Sequence, residues 1–136
     1  MNDTTRCGLW RERGRTVAVV VDTEGRCQQI DPPPDDEAER WDWLSSLAAE
    51  HGLDVELALT ASMARSDSLL HIAQQNGITL WLIPDELVDA IRYVAFGRQR
   101  RQWVAALLAR IPDAAAWRAH LSRQVSNADL RQLLLL

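Results

Sequence analysis

Short apolar runs alternate along this chain with segments whose apolar residues recur every three or four positions, the spacings expected of strands and of helices. The clearest stretch runs from Val55 to Pro84. VELALT (55–60) reads as a strand, ASMA as a loop, RSDSLLHIAQQNG as a helix with its stop signal, and ITLWLIP (78–84) as a second strand. Two strands joined by a helix lie parallel, because the helix carries the chain back to the end of the sheet where the first strand began, and the crossover is expected to be right-handed. Ser66 or Asp67 would start that helix, Leu69, Leu70, Ile72 and Ala73 would face the sheet, and Asn76-Gly77 would end it.

Ahead of this unit the pattern is that of an antiparallel meander. Thr5 to Glu12 and Arg26 to Ile30 read as strands flanking Thr16 to Asp22, a nearly continuous β-branched run suited to a strand buried on both faces. Arg13-Gly14-Arg15 and Thr23-Glu24-Gly25 supply the turns, each with a glycine free to take positive φ. Asp31 and three prolines then form a stiff connector, since residues without an amide hydrogen cannot pair in a sheet. Asp35 or Asp36 caps a helix through about Glu50, with Trp41, Leu44, Leu47 and Ala48 on its apolar face and Gly52 at its exit.

Beyond Pro84, Asp85 caps a helix with Leu87, Val88, Ile91 and Ala95 on one face. Gly97 interrupts it, and GRQRRQ leads to a further helical run with Trp103, Val104, Leu107 and Leu108 at core spacing. A last helix is expected from Ala114 to Gln124, then a short capped turn at Ser126 to Asp129 and four leucines. The chain therefore divides into one α/β domain over residues 1–111 and a helical extension over residues 112–136. That extension would pack on the domain or on a partner subunit.

Charge changes the picture. The net charge of −4 conceals a split, with 7 arginines against 17 acids in residues 1–89 and 8 arginines against 2 acids in residues 90–136. The basic third is where a polyanion would be met, and all 15 cations are arginines, whose planar heads suit bidentate contacts to phosphate. Cys7 and Cys27 show neither a CxxC pair nor histidines at ligand spacing, so both read as reduced, structural thiols with no zinc site. No signal-peptide pattern and no membrane-length apolar run are present, and a cytoplasmic protein without a membrane role is the expectation.

The order β-β-β-α-β-α-β-α, antiparallel first and parallel second, is the ribonuclease H-like order of elements. More specifically, residues 7 to 110 resemble the RuvC-like amino-terminal domain of DEDD-type insertion-sequence transposases. The resemblance is carried by CGLWRERGRTVAVVVDTEGR, by LALTAS with the following helix, Gly77 and LWLIP, and by GRQRRQWVAALLAR. It implies a mixed sheet with helices on both faces. It also implies several carboxylates converging on two Mg²⁺ ions about 4 Å apart, which activate water and stabilise the leaving oxygen of a phosphodiester. Those carboxylates are missing at the matching positions. Trp10 follows Gly8-Leu9 where the first acid belongs, the middle strand ends on Leu59 or Thr60, and Arg101 and Val104 stand where two aspartates belong.

The expectation is thus a non-catalytic ribonuclease H-like protein of a mobile genetic element, with no catalytic or metal-binding residues and no cofactor. Arg98, Arg100 and Arg101, with Trp103 beside them, are the candidate nucleic-acid contacts, because arginine grips phosphate and aromatic rings stack on bases. Trp117, Leu121, Leu130 and Leu134 are the candidate interface of a homodimer, because a free tail cannot leave so much apolar surface in water. Two other classes stand beside this reading: a protein–protein interaction module without nucleic-acid binding, and a metal-dependent nuclease built from Asp22, Glu24 and Glu56. GxSxG, GxGxxG and P-loop patterns are absent, which leaves Ser/His hydrolysis and nucleotide binding without support.

Overall fold

The computed structural model describes residues 4–52, 54–66, 68–91, 101–113 and 122–124. Strands β1 (Arg6–Glu12), β2 (Arg15–Val21) and β3 (Cys27–Ile30) form the antiparallel meander. Helix α1 (Glu37–His51) follows the proline connector, and its N-cap Asp36 accepts from the Glu39 amide. Strand β4 (Glu56–Thr60), helices α2 (Ala61–Ser66) and α3 (Leu69–Gln75) and strand β5 (Leu80–Ile83) make the parallel unit. Helices α4 (Asp85–Ile91) and α5 (Arg101–Arg110), a single 3-10 turn at Ile111–Asp113 and strand β6 (Ser122–Gln124) follow.

The described strands form one mixed sheet in the order β3-β2-β1-β4-β5-β6. Strand β1 pairs antiparallel with β2 and parallel with β4, and β4 pairs parallel with β5. This α/β arrangement puts β1 at the centre, and the alternation of side chains decides what covers each face. Cys7, Leu9, Ala18, Val20, Leu57, Leu59 and Leu80 point to the side where Leu44 and Leu47 of α1 and Leu69, Ile72 and Ala73 of α3 close the core. Val19, Val21, Ala58, Trp81 and Ile83 point to the opposite side, against Val104, Ala105, Leu108 and Ala109 of α5.

Helix α5 lies unusually near the sheet. A Cβ on Gly8 would overlap the Ala105 carbonyl oxygen and reach within 3.0 Å of the Ala109 nitrogen. Glycine in the strand and alanines in the helix are what allow the two backbones to touch.

Four local features depart from the sequence reading. The β1–β2 turn has positive φ at both central residues, Arg13 (52°) and Gly14 (75°), the pattern of a type I′ hairpin. The ASMA segment is helical rather than a loop, because Thr60 Oγ1 accepts from the Met63 amide at 3.3 Å and closes the first turn of α2. On α1 the buried face is Arg40, Leu44 and Leu47, while Trp41 is 36% exposed. The Arg40 guanidinium donates to the Pro34 carbonyl (2.6 Å) and to Ser68 Oγ (2.8 Å), and this pairing makes it the inward residue in place of its neighbour.

The fourth departure concerns the carboxyl-terminal helix expected to reach Gln124. Ser122–Gln124 instead pairs antiparallel with β5, supplying partners to backbone groups that an edge strand would leave unpaired. Apart from Pro112 and Asp113 in the 3-10 turn, the remainder of the expected extension lies outside the described residues.

Gly8→Ala is expected to cost about 2–3 kcal/mol, because α5 must move off the sheet to admit one methyl group. Urea unfolding should show a lower midpoint with an unchanged slope.

Candidate functional site

Two regions of the sheet carry polar chemistry, one at each end of the parallel strands. At the carboxyl end the α5 face presents Trp10, Ala58 and Thr60, while Leu59 faces the opposite core. Trp10 packs on the cluster that contains Val104 and Leu108. Of the positions that the resemblance would fill with acids, Trp10, Thr60 and Val104 carry an indole, a hydroxyl and an isopropyl group, and the Arg101 side chain lies outside the described residues. Asp85, two residues beyond β5, is engaged in structure. It accepts from the Ser62 amide at 3.0 Å and from the Ser62 hydroxyl, which lies 3.3 Å from Thr60 Oγ1. Asp85 thus caps α2 across the β4–β5 unit, although the sequence suggested only that it caps its own helix.

At the amino end a buried guanidinium organises the chain. Arg6 is 4% exposed, and its Nε donates to Glu56 Oε1 at 2.8 Å. Its Nη1 reaches Asp113 Oδ1 at 2.8 Å and the Ala109 carbonyl at 3.2 Å. Trp81 Nε1 donates to the same Glu56 oxygen at 2.8 Å, and the Arg6 Cζ sits 5.8 Å from the Trp81 ring centroid. A cation removed from water needs this degree of pairing, and the Ala109 carbonyl is one of those left without an intrahelical partner at the end of α5. Glu56, weighed in the sequence only as a metal ligand, is thus an ion-pair partner, and nothing in the sequence singles out Arg6. An Arg at the start of the first strand gives no local sign of a partner fifty positions away.

Asp22 and Glu24, the other carboxylates weighed for a metal, belong to the β2–β3 turn. Asp22 Oδ1 accepts from the Glu24 and Arg26 amides, both at 2.9 Å, and Glu24 pairs with the Arg26 guanidinium. Among the described residues no three His, Cys, Asp or Glu side chains gather where they could hold a metal ion. Cys7 is buried, and burial pushes its thiol up to about 12, which leaves it neutral and unreactive. Cys27, read from sequence as structural, is exposed on the outer strand with the Arg110 Nη2 at 3.3 Å.

Of the arginine candidates, Arg101 is placed at the carboxyl end of the parallel strands. Helix α5 runs antiparallel to β1, with Ala109 near Arg6, Ala105 over Gly8 and Val104 in the Trp10 cluster. Its first residue, Arg101, therefore starts at the end where β1 enters the hairpin. Arg98 and Arg100 lie outside the described residues, as do the side chains of Arg101 and Trp103. Trp117, Leu121, Leu130 and Leu134 also lie outside them. No helix among the described residues is long and apolar enough to cross a membrane.

No protein-family model matches the chain, and no curated protein matches it either.

Replacing Glu56 by Leu is expected to destabilise the protein by about 3 kcal/mol, because Arg6 Nε and Trp81 Nε1 both lose the Glu56 carboxylate in a buried setting. Glu56→Gln keeps one acceptor oxygen and should cost less than half as much in the same denaturation measurement.

Proposed function

We propose that this chain is a ribonuclease H-like domain without nuclease chemistry, related to the RuvC-like domain of insertion-sequence transposases, that binds nucleic acid through its basic carboxyl-terminal third. The observation that carries the reading is the strand order. A meander β3-β2-β1, extended by β4 and β5 parallel to β1, is the layout of that fold, with α5 packed on β1 at Gly8. At the carboxyl end, Trp10 and Val104 replace groups that would hold metal with groups that repel water. The scaffold keeps its shape while its surface role passes to arginines, and the expected setting is the cytoplasm of a cell that carries the mobile element.

Fluorescence anisotropy with labelled single-stranded DNA, single-stranded RNA and duplex DNA tests this. The wild-type chain is expected to bind at 50 mM salt, with affinity falling steeply as salt rises. Arg98, Arg100 and Arg101 changed together to Ala should lower the slope of log affinity against log salt by roughly 2 to 3. No binding at low salt would remove the reading and favour an interaction module that contacts protein alone.

The leucine-rich tail supports self-association as part of the same proposal. Light scattering should give about twice 15.4 kDa for the full chain, and deletion of residues 126–136 should return the monomer mass. A particle of 15.4 kDa for the full chain would exclude the dimer.

A further inference from the structure

We infer that the β1–β2 hairpin tip is a phosphate-contacting site, placed to extend the nucleic-acid surface that begins at Arg101. The inference rests on the nucleic-acid reading above and assigns to it a set of residues far from Arg98–Arg101 in sequence.

The sequence RERGR carries Arg11, Arg13 and Arg15 around one tight turn. Arg13 is the only described non-glycine residue with positive φ, at 52°. In a type I′ turn the first central position favours Asn, Asp or Gly, because a side chain with a larger Cβ environment is strained in the left-handed region. The chain accepts that strain and in return projects a cation from the outermost point of the hairpin. Arg13 and Arg15 are exposed, and neither makes an ion pair among the described residues, so folding gives no reason for a guanidinium at either position. Strained residues retained against local preference are the ones whose side chains serve a use outside the fold.

The tip also borders a cavity. An open hollow of about 500 Å³ lies between the hairpin and the proline connector, walled by Arg11, Gly14, Thr16, Pro34, Asp35 and Arg40. Arg11 Nε is steadied by Thr16 Oγ1 at 3.1 Å, and Arg40 by the Pro34 carbonyl. Glu12, opposite Arg15 in the strand register, Asp35 at the cavity wall and Asp36 beside it face Arg11, Arg13, Arg15 and the buried Arg40. At the tip itself the exposed charges are the guanidiniums of Arg13 and Arg15. Because α5 runs antiparallel to β1, the tip and the start of α5 share one end of the molecule. The cavity opens on the α1 face, since Arg11 shares its strand face with Leu9, while Arg15 shares the α5 face with Val17 and Val19, so a phosphodiester backbone that meets both rounds the hairpin tip. Arginine's planar fork suits phosphate oxygens in pairs, and fixed backbone angles at a two-residue turn reduce the freedom lost on contact.

The test separates folding from binding. Arg13→Asn relieves the left-handed strain, so its melting temperature is expected to rise by roughly 3 °C. Combined with Arg15→Thr, it is expected to lower the salt slope for the labelled single strand by roughly 1.5, the loss of two phosphate contacts. A more stable hairpin that binds more weakly is a combination that a purely structural role does not produce. If the double variant keeps the wild-type slope and affinity while the Arg98, Arg100 and Arg101 variant loses them, the hairpin assignment is overturned and the function reading stands. If the wild type fails to bind at 50 mM salt, both fall. Polyglutamate of matched charge that displaces the strand as well as inorganic polyphosphate does would overturn the assignment to phosphate. Arg13→Gly, which fits the same turn, is the control should the asparagine variant misfold, and it is expected to give the same loss.

Discussion

The contact between Gly8 and helix α5 is the constraint on which the other packing depends. With no side chain at the middle of the central strand, the helix backbone descends onto the sheet, and its alanines replace the larger residues that a normal helix–sheet distance would require. That depth brings the Ala109 carbonyl within reach of a guanidinium rooted two positions away in the same strand. Arg6 can then be buried, because Glu56, Asp113, the carbonyl and the Trp81 ring surround it. Close packing and charge burial are therefore one event, and neither would be stable without the other.

The strands were legible because their periodicity is local. The β-branched run of β2 announced a strand covered on both sides, and Ala18 to Val21 are all buried. The parallel β4–β5 unit followed from helix-spaced residues between two apolar runs. What stayed hidden depends on partners distant in sequence. Arg40 displaced Trp41 from the core because Ser68, on another helix, accepts its proton. Glu56 found its direction through Arg6 and Trp81, and α2 formed where a loop was expected because Thr60 and Asp85 satisfy its first amides. The strand at Ser122–Gln124 was read as helix for the same reason: its pattern is polar, and only the open flank of β5 makes it extended.

The two ends of the parallel strands divide the work. Polar side chains at the amino end consume one another, so that region locks the helix and the sheet together. The carboxyl end, where α/β sheets commonly keep their chemistry, is sealed by Trp10 and Val104 beneath and held above by the Asp85 cap. Residues not tied into either arrangement cluster on the rim, at the hairpin. Function is then to be sought at the perimeter of this sheet rather than in a pocket within it, and the arginine-rich composition is interpretable only with that geometry in view.

The proline connector has a consequence for colloidal behaviour. Strand β3 is the outer flank of the sheet, four residues long and largely exposed, and in most proteins such a flank invites a second copy to zip alongside. Here three successive residues with no amide hydrogen follow Asp31, so a foreign strand laid against β3 runs out of donors almost at once. Pairing by that route is held to the four residues of β3 itself, which makes this flank a short template.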